Sequence, residues 1–374
     1  MIIEKILRRF RRSPVFRLEP AGQSRGTVAL SYITVPFMPG ADLRGHTNAY
    51  ECAEIAQAFR DLGYRVEVVD YRDREYVPPK DTRLAIDIHG NLERWHPGLP
   101  EGCIRLLHAT GAHWLTWNKA EASRLLALFQ RRGICLAPRR TAEPSRGIEV
   151  CDLATVIGNE WTMGTFAAAR KPLHRVRLSS AYTYDWASSR DFESSRRSFV
   201  WLGSFGMVHK GLDLALEAFA RMPEYRLTVC GRPEKEADFF EAYRHELTGC
   251  PNITHASWMD LSSAEFERIR QTHAGMIYPS SSEGCAGSIV HCAHAGLVPL
   301  VTRETGFDIG DFGMRVREGS VEAVCEAVRA FAEESPAQVE ARCRAAWEFV
   351  RAEHTRDRFR REYREFAAGL DLRS

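Results

Sequence analysis

The chain has 374 residues, of which 44% are hydrophobic, 27% charged and 10% aromatic. This length suffices for two domains with separate cores, and the composition excludes a disordered, collagen-like or small disulfide-stapled protein. With 51 lysines and arginines against 49 acidic residues, the net charge is only +2, so nucleic acid is not an expected partner. The ten cysteines show no zinc-ligand spacing and are expected to be reduced thiols.

The first 20 residues are strongly basic, with six lysines and arginines against two glutamates. Apolar residues recur at helical spacing on the opposite face, namely Ile3, Ile6, Leu7 and Phe10. This pattern is typical of a short helix on an anionic membrane surface, and the alternative is a solvated arm. No stretch approaches the roughly 18 apolar residues of a membrane-spanning helix. The sequence therefore predicts a cytoplasmic protein whose residues 1–20 attach it peripherally to the inner face of a membrane.

The stretch from residue 21 to residue 185 alternates short β-branched runs with helical patterns. Strands are predicted over residues 27–33, 64–69, 84–88, 104–107, 154–157 and 174–178, and helices over 46–62, 119–131 and 159–169. Alternation of this kind requires a parallel sheet covered by helices on both faces. Residues 21–185 are therefore predicted to form one Rossmann-like domain.

A segment rich in serine, charge and aromatic residues at 179–197 interrupts this rhythm and predicts a linker. The alternation then restarts, with strands predicted over 198–202, 225–230, 274–278 and 298–301, and helices over 211–221, 235–247 and 288–295. We assign residues 186–350 to a second βα domain and residues 351–374 to a C-terminal helix. That helix is expected to pack back on the first domain through an apolar stripe of Phe359, Tyr363 and Phe366. Ligands of two such domains bind in the cleft between them.

The most informative region follows the strand predicted to end at Leu202. A loop that begins at Gly203 leads to Lys210 and Gly211, which open a helix. Such a loop directs backbone N–H groups and a helix N-terminus at an anion, and a lysine adds a full positive charge. The loop predicts a phosphate site, although an ordinary turn with a solvated lysine would explain the same residues. Because it opens an exposed helix, Lys210 is expected to contribute little to folding.

A second loop follows the strand predicted at 274–278. It contains Pro279, three serines and Glu283, and then the small residues Gly284, Cys285, Ala286 and Gly287. Small residues allow a ligand to approach the main chain closely. A helix starts directly afterwards, which again presents amides, now beside a carboxylate. Amides and Lys210 suit a diphosphate, whereas Glu283 suits sugar hydroxyls.

Together these motifs resemble the donor-binding domain of the retaining GT-B glycosyltransferases of the family four group. The matching positions are Gly203, Lys210-Gly211, Pro279-Ser280, Glu283-Gly284 and the run Gly296-Leu297-Val298-Pro299. Two positions depart from the family's pattern. The arginine that usually accompanies the lysine is missing near Ser204 and Phe205. His291 stands in place of a second glutamate eight residues after Glu283.

The resemblance implies a GT-B fold, in which two Rossmann-like domains face each other across a cleft. It also implies retaining transfer of a sugar from a nucleoside diphosphate sugar to a glycan, lipid-linked or other small acceptor, in cell-surface polysaccharide or glycoconjugate synthesis. Lys210 would hold the diphosphate, Glu283 would lie near the donor sugar, and no metal or other cofactor would be needed. The wider donor-binding set would comprise Gly203, Ser204, Gly231, Arg232, Gly284, Cys285, Ala286, Gly287 and His291.

His291 is expected to face the nucleotide ribose. A neutral histidine offers one donor and one acceptor where a glutamate would accept two hydrogen bonds, so looser nucleotide binding is expected. Protonation near pH 6.5 would change donor affinity between pH 6 and 8. A core position without ligand contact is the alternative.

Candidate residues on the acceptor side come from the first domain. The loop before the first helix contains Gly45, His46, Thr47 and Asn48, which could contact a ligand or cap the helix. His89 follows a predicted strand, and the family often has a histidine there that contacts the donor sugar. His89 therefore joins Lys210 and Glu283 as a catalytic candidate. Further acceptor-side candidates are His113, Arg139 and Asn159.

Two alternatives to a transferase remain open on the sequence. A sugar-nucleotide epimerase of the same architecture would act on its substrate without an acceptor. A non-catalytic protein that binds a sugar nucleotide or a glycan would be consistent with the missing arginine and with His291. Only a transferase would release nucleotide in a manner that depends on an added acceptor.

Overall fold

The computed structural model describes residues 14–44 and 46–372, which form two α/β units, each with its own sheet. Most of the basic N-terminal segment, up to residue 13, lies outside the described residues, as does the acceptor-side candidate Gly45. Within the described part of the chain, no helix has the length and hydrophobicity that crossing a bilayer requires.

The first domain is built on a seven-stranded sheet in the order β1-β3-β2-β4-β5-β6-β7. Its strands are β1 Phe16–Leu18, β2 Thr27–Tyr32, β3 Arg65–Asp70, β4 Thr82–Asp87, β5 Ile104–Ala109, β6 Leu153–Ile157 and β7 Leu173–Val176. Its helices are α1 Thr47–Asp61, α2 Asn91–Trp95, α3 Trp114–Arg132, α4 Gly147–Val150 and α5 Glu160–Gly164. Strand β2 is buried along its whole length, which explains why its sequence, TVALSY, has no charged residue and no alternation of buried and exposed positions.

The second domain has a six-stranded sheet in the order β10-β9-β8-β11-β12-β13, and all of its pairs are parallel. Its strands are β8 Ser198–Leu202, β9 Arg226–Cys230, β10 Ile253–His255, β11 Gly275–Tyr278, β12 Val298–Val301 and β13 Met314–Arg315. The helices from the linker onward are α6 Phe192–Ser195, α7 Leu212–Ala220, α8 Ala237–Ala242, α9 Arg244–Gly249, α10 Ala264–Thr272, α11 Gly287–His294, α12 Val321–Ala332, α13 Pro336–Glu353 and α14 Arg356–Gly369.

Strand β1 corrects the expected extent of the basic N-terminal helix. Residues Phe16–Leu18 pair antiparallel with β3, and the Arg17 guanidinium donates to the Glu67 carboxylate at 2.8 Å. A helix therefore cannot continue to residue 20, because these residues form the edge of the sheet. The charge of Arg17 is also engaged within the protein.

The C-terminal helix α14 lies against α1 of the first domain. Phe359 meets the Tyr50 ring at 6.5 Å, and Tyr363 meets the Phe59 ring at 6.4 Å, both in edge contacts. Phe359 and Tyr363 are almost completely buried. The apolar stripe of α14, the last helix of the chain, therefore completes the core of the first domain.

Helix α3 belongs to the first domain and contacts the second. It begins at His113, whose Nδ1 accepts the N–H of Leu115, and ends at Gly133, which adopts a left-handed φ of 70°. Between them, Arg131 donates to the carboxylates of Asp213 and Glu217 in the second domain. The domains therefore meet through charged groups, which makes α3 part of the cleft wall.

Candidate active site

Lys210 and Glu283 form a buried ion pair. Lys210 Nζ donates to Glu283 Oε1 at 2.7 Å and to the Tyr278 hydroxyl at 2.8 Å. Each of the two charged residues is 7% exposed. The expectation that Lys210 opens an exposed helix and contributes little to folding is therefore wrong, because the loop folds its ammonium inward and helix α7 behind it is buried.

Several donors converge on the Glu283 carboxylate. Besides the lysine, the hydroxyls of Tyr278 and Ser280 donate to the same oxygen at 3.3 Å. Burial opposes ionisation of Glu283, but the neighbouring positive charges, Lys210 first, outweigh it and lower its pKa to about 2. Burial in turn lowers the pKa of Lys210, and the attraction of Glu283 opposes that shift. Glu283 is thus a fixed anion at neutral pH.

Several backbone N–H groups of the loop before Lys210 already have acceptors within the protein. The Glu236 carboxylate accepts the N–H groups of Gly206 at 2.5 Å and Met207 at 3.2 Å. The N–H of Lys210 itself donates to the Gly206 carbonyl. A phosphate at this loop would therefore depend on side-chain cations more than the sequence suggests.

The Trp201 ring leaves no space for a side chain at Gly203 or Gly231. A Cβ on Gly203 would lie 2.3 Å from the Trp201 ring, and one on Gly231 would lie 2.9 Å from the same ring. Their N–H groups donate to the carbonyls of Cys230 and Ser257, so these glycines let the chain at the ends of β8 and β9 pack closely on the ring. The neighbouring Ser204 is exposed.

The loop after Glu283 meets the first domain. A Cβ on Gly284 would lie 2.4 Å from the Thr110 carbonyl, and the Thr162 hydroxyl donates to the Gly284 carbonyl at 2.8 Å. Helix α11 then starts at Gly287 without a side-chain cap. Among the described residues, the N–H groups of Gly284, Cys285 and Gly287 have no protein acceptor, whereas that of Ala286 donates to the Thr305 carbonyl. These free donors lie next to the ion pair.

A second buried contact lies one residue before Lys210. His209 Nδ1 is 2.8 Å from Glu121 Oε2 of helix α3, and its Nε2 is 2.7 Å from the Ser282 carbonyl. The ring stacks on Trp117 with 4.9 Å between centroids. Sequence spacing does not reveal this link, because Glu121 is 88 residues away in the sequence.

The first domain contributes a cavity of about 290 Å³ at the ends of β4 and β5. His89 and His113 line it together with Trp114, Trp117, Phe166, Arg140 and Glu143. His89 Nε2 is 3.5 Å from the Glu143 carboxylate, and its side chain is 26% exposed. His113 also caps α3, and burial lowers its pKa. Both histidines therefore face a space that a ligand can enter.

The other acceptor-side candidates make contacts within the protein. Asn159 is 7% exposed, and its carbonyl oxygen caps α5 while its amide donates to the Phe307 carbonyl. Arg139 pairs with Asp238 of the second domain at 2.6 Å. His46 caps helix α1 through Asn48 N–H, and Thr47 is buried. Burial lowers the pKa of His46, and the charge of Lys210 lowers it further, so His46 lies near the candidate active site.

The side chain of His291 contacts the linker. Its Nε2 accepts the N–H of Ala181 at 3.2 Å, and its ring meets the edge of Tyr182. Burial lowers the pKa of His291 to about 3. The expected change of its charge between pH 6 and 8 is therefore wrong, because the ring stays neutral throughout that range.

An exposed aromatic residue lies beside Arg232. Trp258 is 56% exposed, and the Arg232 guanidinium lies 5.0 Å from the centre of its ring. The preceding Ser257 adopts a left-handed φ of 57°. An exposed aromatic ring next to a strained residue is typical of a binding site, and sequence spacing could not predict either feature.

Comparison with known proteins places these features in context. Residues 196–334 match the family model described as glycosyl transferases group 1. No curated protein matches the sequence. The family match covers both loops that meet at the Lys210–Glu283 pair.

Solved structures resemble most of the chain at low identity. S. aureus TarM, in a complex with fondaparinux, alpha-GlcNAc-glycerol and UDP, is 10% identical with a TM-score of 0.53, over 76% of this chain and 55% of that chain. Anabaena HepE, bound to UDP and glucose, is 11% identical with a TM-score of 0.57, over 92% and 99%. WaaG, a glycosyltransferase involved in lipopolysaccharide biosynthesis, is 15% identical with a TM-score of 0.55, over 92% and 100%.

The chain spans about half the length of TarM and nearly all of HepE and WaaG. At these identities the likeness shows a shared fold, and the predicted pair of Rossmann-like domains of the GT-B type is confirmed. The resemblance to GT-B glycosyltransferases is confirmed as well. The family match lies within the second domain of this fold.

Proposed function

We propose that this chain transfers a sugar from a nucleoside diphosphate sugar to an acceptor held in the cavity of the first domain. The position of the Lys210–Glu283 pair carries this proposal. It lies in the matched domain, and the following Gly284 packs on Thr110 at the edge of that cavity. A donor sugar beside Glu283 would therefore face an acceptor in the first domain.

The chemistry follows from the charges at the site. As the sugar leaves, negative charge develops on the diphosphate, and Lys210 with the free amides at the start of α11 would stabilise it. Glu283 would accept hydrogen bonds from the donor sugar. By resemblance, the acceptor attacks from the face that the leaving phosphate vacates, and that phosphate takes the acceptor proton. This route retains the configuration of the sugar.

The lining of the cavity suggests a carbohydrate acceptor. Trp114, Trp117 and Phe166 offer apolar ring faces, while His89 and Glu143 offer polar groups that would fix the orientation of hydroxyls. A volume of about 290 Å³ fits a small group or the end of a longer chain. A glycan or a lipid-linked sugar would therefore place its terminal residue here, as in the synthesis of surface polysaccharides.

Release of nucleotide tests the proposed function. The purified chain is incubated with UDP-, GDP- and ADP-sugars, and free nucleoside diphosphate is measured with and without mono- and oligosaccharide acceptors. A transferase releases nucleotide faster when its acceptor is present. Conversion of the sugar without nucleotide release would instead indicate an epimerase. Binding without any turnover would indicate a non-catalytic protein.

Membrane attachment through the basic N-terminal residues remains part of the proposal. Since residues 16–18 belong to the sheet, the deletion that tests it should remove residues 1–13 only. The full chain should co-sediment with phosphatidylglycerol vesicles at low salt and dissociate at high salt, and the deleted chain should stay in solution. Equal sedimentation of both would contradict the attachment.

A further inference from the structure

Arg140 belongs to the first domain but reaches the ion pair of the second. Its Nη2 lies 3.8 Å from Glu283 Oε2, and its aliphatic stem lies where a side chain on Gly206 would be. A Cβ on Gly206 would come within 2.4 Å of the Arg140 Cγ. Arg140 therefore lies directly over the loop that leads to Lys210.

The Arg140 guanidinium is held in place and lies near Glu283, but it donates no hydrogen bond to a described residue. It lies 4.9 Å from the centre of the Trp117 ring, and its backbone N–H donates to Glu121 Oε1 at 3.1 Å. Its side chain, however, donates no hydrogen bond to any described residue, and the buried Nε has no partner. The 3.8 Å separation from Glu283 is too long for a hydrogen bond.

Neighbouring arginines on the same wall each donate at least one side-chain hydrogen bond. Arg131 makes three hydrogen bonds to carboxylates, and Arg139 donates to Asp238. Arg124 donates to the Pro279 carbonyl at 2.9 Å, although its buried Nη1 also has no partner. A buried donor without a partner costs free energy, so natural proteins rarely retain one without a function. The unused donors of Arg140 thus point to a ligand that accepts them.

The charges around Arg140 indicate what kind of ligand it would bind. Lys210 and Glu283 cancel each other, so the pair alone offers no net attraction to an anion. Arg140 adds a second cation beside the pair, and its side chain remains 30% exposed at the cavity. A guanidinium fork matches two phosphate oxygens at once.

We propose that Arg140 is a donor-phosphate ligand, supplied by the first domain to a nucleoside diphosphate bound on the second. Glu121 is then a positioning residue, because its carboxylate holds both the Arg140 backbone and His209. The inference rests on the proposed function and adds a specific consequence. Diphosphate binding requires the two domains to be together, whereas nucleoside binding does not.

The test compares Arg140→Gln with Arg146→Gln, which removes an equal charge from an arginine exposed on the same domain. Binding of UDP, GDP and ADP and of the matching nucleosides is measured by calorimetry, after thermal unfolding has verified that each variant is folded. Arg140→Gln should weaken binding of the preferred diphosphate about 10- to 100-fold and leave nucleoside binding within about twofold. Arg146→Gln should match the wild type.

Arg140→Lys separates charge from packing. It retains the charge but loses the flat group that lies on Trp117, so it should recover part of the diphosphate affinity. If the wild type binds a diphosphate and Arg140→Gln binds it equally well, the inference is overturned while the proposed function stands. If the wild type binds none of the three diphosphates, the proposed donor class fails and the inference fails with it.

Discussion

His209 and Lys210 are neighbours in the chain, and each contacts a buried glutamate, yet the two contacts differ in kind. Lys210 meets Glu283 within the second domain, amid hydroxyls and free amides that a ligand can use. His209 meets Glu121 across the domain boundary, where both ring nitrogens are already engaged. On the proposed function, the first contact supplies charge for the chemistry, and the second holds helix α3 against the loop that carries Lys210.

The largest expected effect comes from breaking the first contact. Lys210→Ala should lower turnover by about 10²–10³, because it removes a fixed stabiliser of the leaving phosphate. It should also lower the free energy of unfolding by about 3–5 kcal/mol, because Glu283 is left as an uncompensated buried charge. Turnover and denaturant unfolding measure the two effects. Lys119→Ala, an exposed lysine on α3, should change neither.

Acid unfolding should sharpen the contrast. The folded pKa of Glu283, about 2, lies below its usual value of 4.5, so its contribution is complete above about pH 4.5 and is lost as the pH falls toward 2. Glu283→Gln should therefore show a flatter loss of Tm than the wild type in that window. Glu149→Gln, at an exposed glutamate, is the matched control. Identical slopes in all three proteins would contradict an ionised Glu283.

Breaking the second contact should have a smaller effect, mainly on stability. Glu121→Gln weakens the bond to His209 and removes a charge that holds the Arg139–Arg140 backbone, at a cost of about 1–3 kcal/mol in unfolding free energy. Turnover should fall less than in Lys210→Ala, because no reacting atom is touched. A variant as inactive as Lys210→Ala but fully stable would show that Glu121 takes part in the chemistry.

The smallest effect is expected at His291. Removing its ring in His291→Ala deletes one hydrogen bond to Ala181 and should cost about 0.5–1.5 kcal/mol of stability. His291→Glu should preserve or tighten nucleotide binding. Because the wild-type ring is neutral from pH 6 to 8, its titration should leave nucleotide affinity unchanged across that range. Calorimetry at both pH values in wild type and His291→Ala checks this, and a pH step present only in the wild type would contradict it.

The sequence could predict what is local. Strand β8, the loop to Lys210 and the loop around Glu283 follow from periodicity and from small residues beside charges, and their elements lie within a residue or two of the predicted limits. The N-terminal edge strand β1 was missed, since three residues carry too little periodicity. The single helix predicted over 235–247 is two helices, because Tyr243 departs from helical dihedrals.

Long-range pairings were beyond the sequence. That Lys210 points at Glu283 and not at solvent depends on the parallel pairing of β8 with β11. Arg140 reaches the same ion pair because of where helix α3 docks. Residue spacing in the sequence cannot predict that docking. Burial likewise decides that His291 stays neutral, and its sequence neighbours give no indication of it.

The central claim is that the Lys210–Glu283 pair drives sugar transfer and not merely folding. The most direct test is the double variant Lys210→Met with Glu283→Gln, which removes both charges and so avoids an unpaired buried ion. With the preferred donor and acceptor, it should be more stable than Lys210→Ala and still release nucleotide at least about 100-fold more slowly than the wild type. Release at the wild-type rate from this folded variant would contradict the account.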